Sequence, residues 1–135
     1  MKIKKNHELN GVQIPKPFNR EVRIIFSPDI DEGCGCNLIQ AIIYPFSKTD
    51  YRYRDRVEIV FIVSGKGIFV CNDQEYPIES DSAIFIEKGD KIQIVNTESK
   101  NLNLVSFYPN PYNSYELYQK LLNAAEMAQR EKTEQ

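Results

Sequence analysis

The chain has 135 residues and a mass of 15.7 kDa, the length of about one domain. A chain of this size buries roughly two thirds of its unfolded surface and needs no disulfide or structural metal to fold. Apolar residues make up 41% and charged residues 27%, the balance of a globular chain rather than a disordered one. Seventeen basic against nineteen acidic residues leave a net charge of −2, without the basic excess that nucleic-acid binders carry, so no nucleic acid is expected as partner.

The longest apolar run, Ala41 to Phe46, falls far short of the about 20 residues a membrane helix needs. No membrane partner is expected. The first ten residues lack the apolar core of a secretory leader. The three cysteines, Cys34, Cys36 and Cys71, show no repeated spacing and read as reduced thiols of a cytoplasmic protein. The only histidine, His7, lies in a polar stretch, which removes chemistry that depends on several imidazoles.

In chain order, residues 1–20 are polar and contain Pro15 and Pro17; they read as an N-terminal arm. Short runs rich in Ile, Val, Phe and Tyr then follow: Val22–Phe26, Leu38–Phe46, Val57–Val63, Gly67–Cys71, Ser82–Ile86, Lys91–Asn96 and Leu102–Tyr108. Turn residues separate them, among them Gly33-Cys34-Gly35, Ser64-Gly65-Lys66-Gly67 and Lys88-Gly89-Asp90. Strands at this spacing predict an all-β barrel or sandwich over residues 21–111. Pro109 and Pro111 end the last strand, because proline cannot join an interior ladder. Asn113 or Ser114 can cap a helix, and Leu117, Tyr118, Leu121, Leu122 and Ala125 recur on one helical face. A C-terminal helix and tail are therefore expected over residues 112–135, with fraying from Glu131.

The most informative stretch runs from Tyr51 to Gly67. Glu58 opens a strongly apolar strand and a Gly65-Lys66-Gly67 turn follows it. Glu58 and Gly65 fit the end of the first motif of the cupin superfamily, with Tyr51 and Tyr53 standing where its two histidines would be. Gly89 and Asn96 fit the second motif, where Ile92 replaces the histidine. The sequence thus resembles the cupins over roughly Val22 to Pro111. The resemblance implies a single-domain antiparallel β-barrel, a jelly roll, with one C-terminal α-helix. Within that superfamily the ectoine synthase family looks nearest, through Tyr53 before Glu58, Tyr76-Pro77-Ile78 and Tyr108-Pro109-Asn110-Pro111. That family holds iron with a glutamate, a tyrosine and a histidine; the last two positions fall on Ile84 and Ile92. Only the carboxylate of the ligand set is present, so neither metal nor cofactor is expected.

The same register points Tyr51, Tyr53, Glu58, Val60, Ile84, Ile92, Ser106 and Tyr108 into one barrel. Such a lining, mainly apolar with a few polar groups, suits a small molecule. Glu58 buried among apolar groups would have a raised pKa and could serve as acid or base. Tyr51 and Tyr53 would then donate hydrogen bonds to a substrate oxygen, and Val60, Ile84, Ile92, Ser106 and Tyr108 would contact the ligand. A structural role for Glu58, paired with a nearby arginine, is the competing reading. Alternation puts Arg52, Arg54 and Arg56 opposite the tyrosines, on a solvated strand edge.

Three functions remain open. One is a metal-independent isomerase, epimerase, lyase or cyclase of a small polar metabolite. The second is a binding or sensor module without turnover. The third is an interaction protein whose barrel is filled with side chains. A homodimer is the expected assembly.

Overall fold

The computed structural model describes residues 1–134; Gln135, the end of the expected tail, lies outside the described residues. Ten strands and one long helix follow in chain order. They are β1 (Val12–Ile14), β2 (Arg20–Phe26), β3 (Asn37–Ile43), β4 (Arg52–Tyr53), β5 (Glu58–Ser64), β6 (Lys66–Cys71), β7 (Gln74–Glu79), β8 (Ala83–Ile86), β9 (Lys91–Asn96), β10 (Leu102–Tyr108) and α1 (Ser114–Glu134). The strands form two antiparallel sheets, one in the order β1-β2-β3-β10-β5-β8 and one in the order β4-β9-β6-β7. This is the jelly roll expected from the sequence.

Strict alternation drives the packing. On β9, Ile92, Ile94 and Asn96 are buried, and on β10, Leu102, Leu104, Ser106 and Tyr108 are buried. Successive strand side chains point to opposite faces, so each set lines the interior. Three strands lie outside the expected runs. Residues of β1 belong to the polar arm, yet pair with β2 in the register Val12↔Val22. β4 is only two residues long. β7 carries Pro77 and is exposed at every position but Ile78. It is an edge strand, where a proline removes no interior hydrogen bond.

Two apolar clusters result. One lies between the sheets and includes Ile43, Val60, Ile62, Phe69, Ile92 and Leu102. The other joins Val22, Ile24, Ile39 and Tyr108 to Leu117, Leu121 and Ala125 of the helix. The six-stranded sheet is wider than its partner, and α1 covers the excess inner face. Burying a leucine there contributes about 1.5–3 kcal/mol, so the four-residue spacing of Leu117, Leu121 and Ala125 fixes which face of α1 turns inward. The helix runs to Glu134 and does not stop at Glu131.

The junctions are closed by side-chain hydrogen bonds. Asn96 Nδ2 donates to the carbonyls of Ile43, Tyr44 and Lys100 at 2.8–3.0 Å, and its Oδ1 accepts from the Glu98 amide. Gly67 passes so close to the next strand that a Cβ would collide with the Val95 carbonyl. Asn113 caps α1 by accepting from the Tyr115 amide at 2.9 Å. Asp29 binds the Ser114 amide and hydroxyl from outside the helix.

Candidate functional site

Where the two clusters meet, the packing leaves a cavity of about 60 Å³. Its polar wall comes from Arg20 of β2, Thr49 and Asp50 before β4, Arg52 and Arg54 at β4, Glu58 of β5, and Ser106 and Tyr108 of β10. Its apolar wall includes Val22, Ile39, Ile94 and Leu104. Leu117 and Leu121 close it from the helix side.

The charged groups are withdrawn from water. Arg20 is 3% exposed, Arg54 8% and Glu58 4%. Arg54 Nε donates to Glu58 Oε1 at 3.1 Å. Arg20 Nη1 donates to the Phe18 carbonyl at 3.0 Å. Arg52 Nε lies 3.4 Å from Asp50 Oδ2. Arg54 Nη1 has no hydrogen-bond partner among the described residues. Burial lowers the pKa of Arg20 to about 10; Asp50 works against this, while Arg52 and Arg54 add to it. For Arg54, burial acts downwards, but the Glu58 carboxylate and other negative groups outweigh it and the net shift is upward. Tyr108 is pushed well above the usual phenol range, first by burial and then by Glu58. Arg20 and Arg54 stay charged at neutral pH, and Tyr108 stays neutral.

Of the residues expected at a site, Glu58, Ser106 and Tyr108 share the cavity wall. Val60 and Ile92 are fully buried between the sheets and Ile84 packs against them; these three fill the barrel and do not line the cavity. Tyr51 and Tyr53, expected to point inward, lie outside. Tyr53 is 69% exposed. Tyr51 exchanges hydrogen bonds with Asp73 at 2.7 and 2.8 Å, and Lys91 Nζ sits 4.4 Å from its ring centre. Arg52 and Arg54, expected on a solvated edge, are the residues that face the cavity. A one-residue change of register moves every side chain to the other face. Arg56 alone stays outside, with its guanidinium carbon 3.4 Å from the Tyr112 ring centre and Nη1 donating to the Asn110 and Pro111 carbonyls. Glu58 is also no lone carboxylate among apolar groups, because Arg54 meets it. Arg20 and Asp50 were not singled out in the sequence; alternation with Val22 and Ile24 is the signal that turns Arg20 inward.

This donor set does not fit a metal cation. Arg52 and Arg54 occupy the inward positions before Glu58, and that carboxylate is already bound to a guanidinium. Divalent metals take imidazole, thiolate or carboxylate donors, not cations. Among the described residues no group of three His, Cys, Asp or Glu side chains gathers to hold a metal. The two nearest cysteine sulfurs, Cys34 and Cys36, are 3.8 Å apart, and all three cysteines are free. Among the described residues no helix is long and apolar enough to cross a membrane.

Comparison with solved structures shows a fold shared with cupins. Ectoine synthase from P. lautus is 18% identical over 89% of this chain and 86% of its own, with a TM-score of 0.73. The polyketide cyclase RemF from Streptomyces resistomycificus is 17% identical over 93% of this chain and 98% of its own, with a TM-score of 0.72. A cupin 2 conserved barrel domain protein from Salinispora arenicola is 11% identical over 95% and 98%, with a TM-score of 0.65. At these identities the likeness establishes the fold alone. No curated protein matches the chain. The model of the AraC-like ligand binding domain matches residues 40–123, more than half of the chain and most of the cavity wall. The chain therefore belongs to the family of AraC-like ligand binding domains, built as a cupin jelly roll.

Proposed function

We propose that this protein binds a small molecule in the cavity under α1 and acts as a binding or sensor module. The observation that carries this reading is a partly open cavity beside Glu58 whose wall combines buried charged groups with apolar side chains. A few polar groups in a mainly apolar enclosure are the usual make-up of a small-molecule site. The family match supports it. Glu58 serves here as half of an ion pair, which orients Arg54; general acid–base work would require that pair to open. The filled-barrel alternative applies to the space between the sheets, where Val60 and Ile92 leave no room, but not to the space under the helix.

The test is a calorimetric screen of small carboxylates, phosphate and neutral polyols against the full chain. Leu121→Trp serves as the variant that fills the cavity. Saturable binding that this variant abolishes supports the reading. Binding that survives it, or none by any class, removes it. Turnover of a bound ligand that stops in Glu58→Gln would restore the isomerase or lyase reading.

The partner of a second kind is another copy of this chain. Ile59, Phe61 and Val63 of β5 and Phe85 of β8 are exposed on the outer face of the six-stranded sheet. Ile59 faces Phe85 across the ladder, and β8 is the sheet edge. This patch carries no charge to repel its own copy, which suits a two-fold dimer. A cytoplasmic setting is retained for the three free thiols.

A further inference from the structure

We propose that the cavity is a site for a short-chain monocarboxylate, bound through Arg54 with Arg20 and Arg52 beside it. The proposal rests on the small-molecule reading above and names the ligand class for that same cavity.

Three guanidiniums and two carboxylates, Asp50 and Glu58, share one wall. The balance is one surplus positive charge in a space withdrawn from water, where an uncompensated charge is costly. Arg54 is more than nine-tenths buried, spends Nε on Glu58, and leaves Nη1 without an acceptor. Buried guanidinium N–H groups without a partner are rare, and a carboxylate matches the planar fork of donors better than any other common anion group. A single negative charge neutralises the surplus; a doubly charged phosphate would overshoot it.

The rest of the enclosure sets the remainder of the ligand. Val22, Ile39, Leu117 and Leu121 add hydrocarbon to the same wall, which favours an alkyl chain over a polyhydroxylated one. A volume of about 60 Å³, at roughly 10–15 Å³ for each water-sized group, accommodates a carboxylate of about two to four carbons. The Leu117 and Leu121 contacts also tie the ligand to the packing of α1, so ligand occupancy and helix docking stabilise each other.

The experiment titrates the full chain with sodium propionate and, at matched ionic strength, with propionamide, inorganic phosphate and glycerol, read by calorimetry and thermal midpoint. Propionate is expected to bind saturably and raise the midpoint, with propionamide at least tenfold weaker. Because Arg54→Gln leaves Glu58 buried without its partner and destabilises the fold, the pair is also removed together in Arg54→Met/Glu58→Met. This double variant is expected to fold and to lose at least tenfold in propionate affinity. Equal affinity for propionate and propionamide, tighter binding of phosphate, or undiminished propionate affinity in the folded double variant overturns the carboxylate assignment. Saturable binding of glycerol or propionamide without propionate overturns it while leaving the small-molecule reading intact. Absence of binding by all four probes overturns both.

Discussion

Arg54 donates through Nε to Glu58 Oε1 at 3.1 Å, four positions along the chain and inside the barrel, with both side chains withdrawn from water. The pair spans the turn between β4 and β5. It therefore positions two walls of the cavity with a single contact. Both groups face inward across that turn, and neither alone would be tolerated at that depth.

The energetic consequence can be separated by a double-mutant cycle. Glu58→Met leaves a buried guanidinium unpaired and is expected to cost about 3–5 kcal/mol. Arg54→Met/Glu58→Met removes both charges and is expected to cost far less, because replacing a whole buried pair by apolar groups is often near neutral. Urea unfolding of the two variants and the parent checks this. A double variant as unstable as the single one would show that the pair is not what is being measured.

The lead into α1 gives a pH dependence. For Asp29, burial acts upwards, but hydrogen bonds from the Ser114 and Ser27 hydroxyls and the Ser114 amide hold the carboxyl at about 2, below its ordinary 3.8. Asp55 is also held low, first by the hydrogen bond from Arg56 and, against some burial, by the Tyr112 hydroxyl and Lys120. A carboxylate with a depressed folded pKa contributes stability that is present above about pH 4 and is lost as pH falls through the folded value. The thermal midpoint is therefore expected to fall between pH 4 and pH 2, with helix docking weakened. Asp29→Asn should lower the midpoint at pH 7 and make the acid decline shallower. An unchanged pH profile in this variant would remove Asp29 as its source.

Asn96 closes the barrel rim by serving three carbonyls and one amide from a site that is 1% exposed. Asn96→Ala strands the buried Ile43 carbonyl and loosens the Tyr44 and Lys100 carbonyls and the Glu98 amide, and a buried group left unpaired costs about 1–3 kcal/mol. A loss of at least about 2 kcal/mol by denaturant unfolding is expected, with ligand affinity unaffected in the folded fraction. A loss below about 0.5 kcal/mol would mean that these carbonyls find other donors.

The exposed face of β5 and β8 predicts the assembly. Sedimentation velocity of the parent is expected to show a dimer, and Phe61→Glu a monomer, because the charge would face its own copy across the two-fold axis. Since Phe61 points outward, the variant should keep its cavity and its thermal midpoint close to that of an isolated parent protomer. A monomeric parent at high concentration would leave this patch without the partner assigned to it.

Much of the molecule was determined by local pattern. Alternation at Lys91–Asn96 and Leu102–Tyr108, turn residues between apolar runs, and the four-residue spacing of Leu117, Leu121 and Ala125 each report a preference that a few neighbouring residues enforce. They sufficed for an all-β body and its helix; the jelly roll, and the expectation that Glu58, Ser106 and Tyr108 share one interior, came from the resemblance to the cupins. What the sequence left undecided was which face of the Tyr51–Arg56 segment turns inward. Tyrosines inside and arginines outside is the arrangement hydrophobicity favours, and the reverse is stable only because Glu58 and Asp50 approach Arg54 and Arg52 in space. Arg20 joins them from β2, far earlier in the chain, at the last position of the stretch read as a polar arm. The turn that brings Glu58 back onto Arg54, and the strand that brings Arg20 beside them, belong to the tertiary structure, and together they set the charge of the cavity wall.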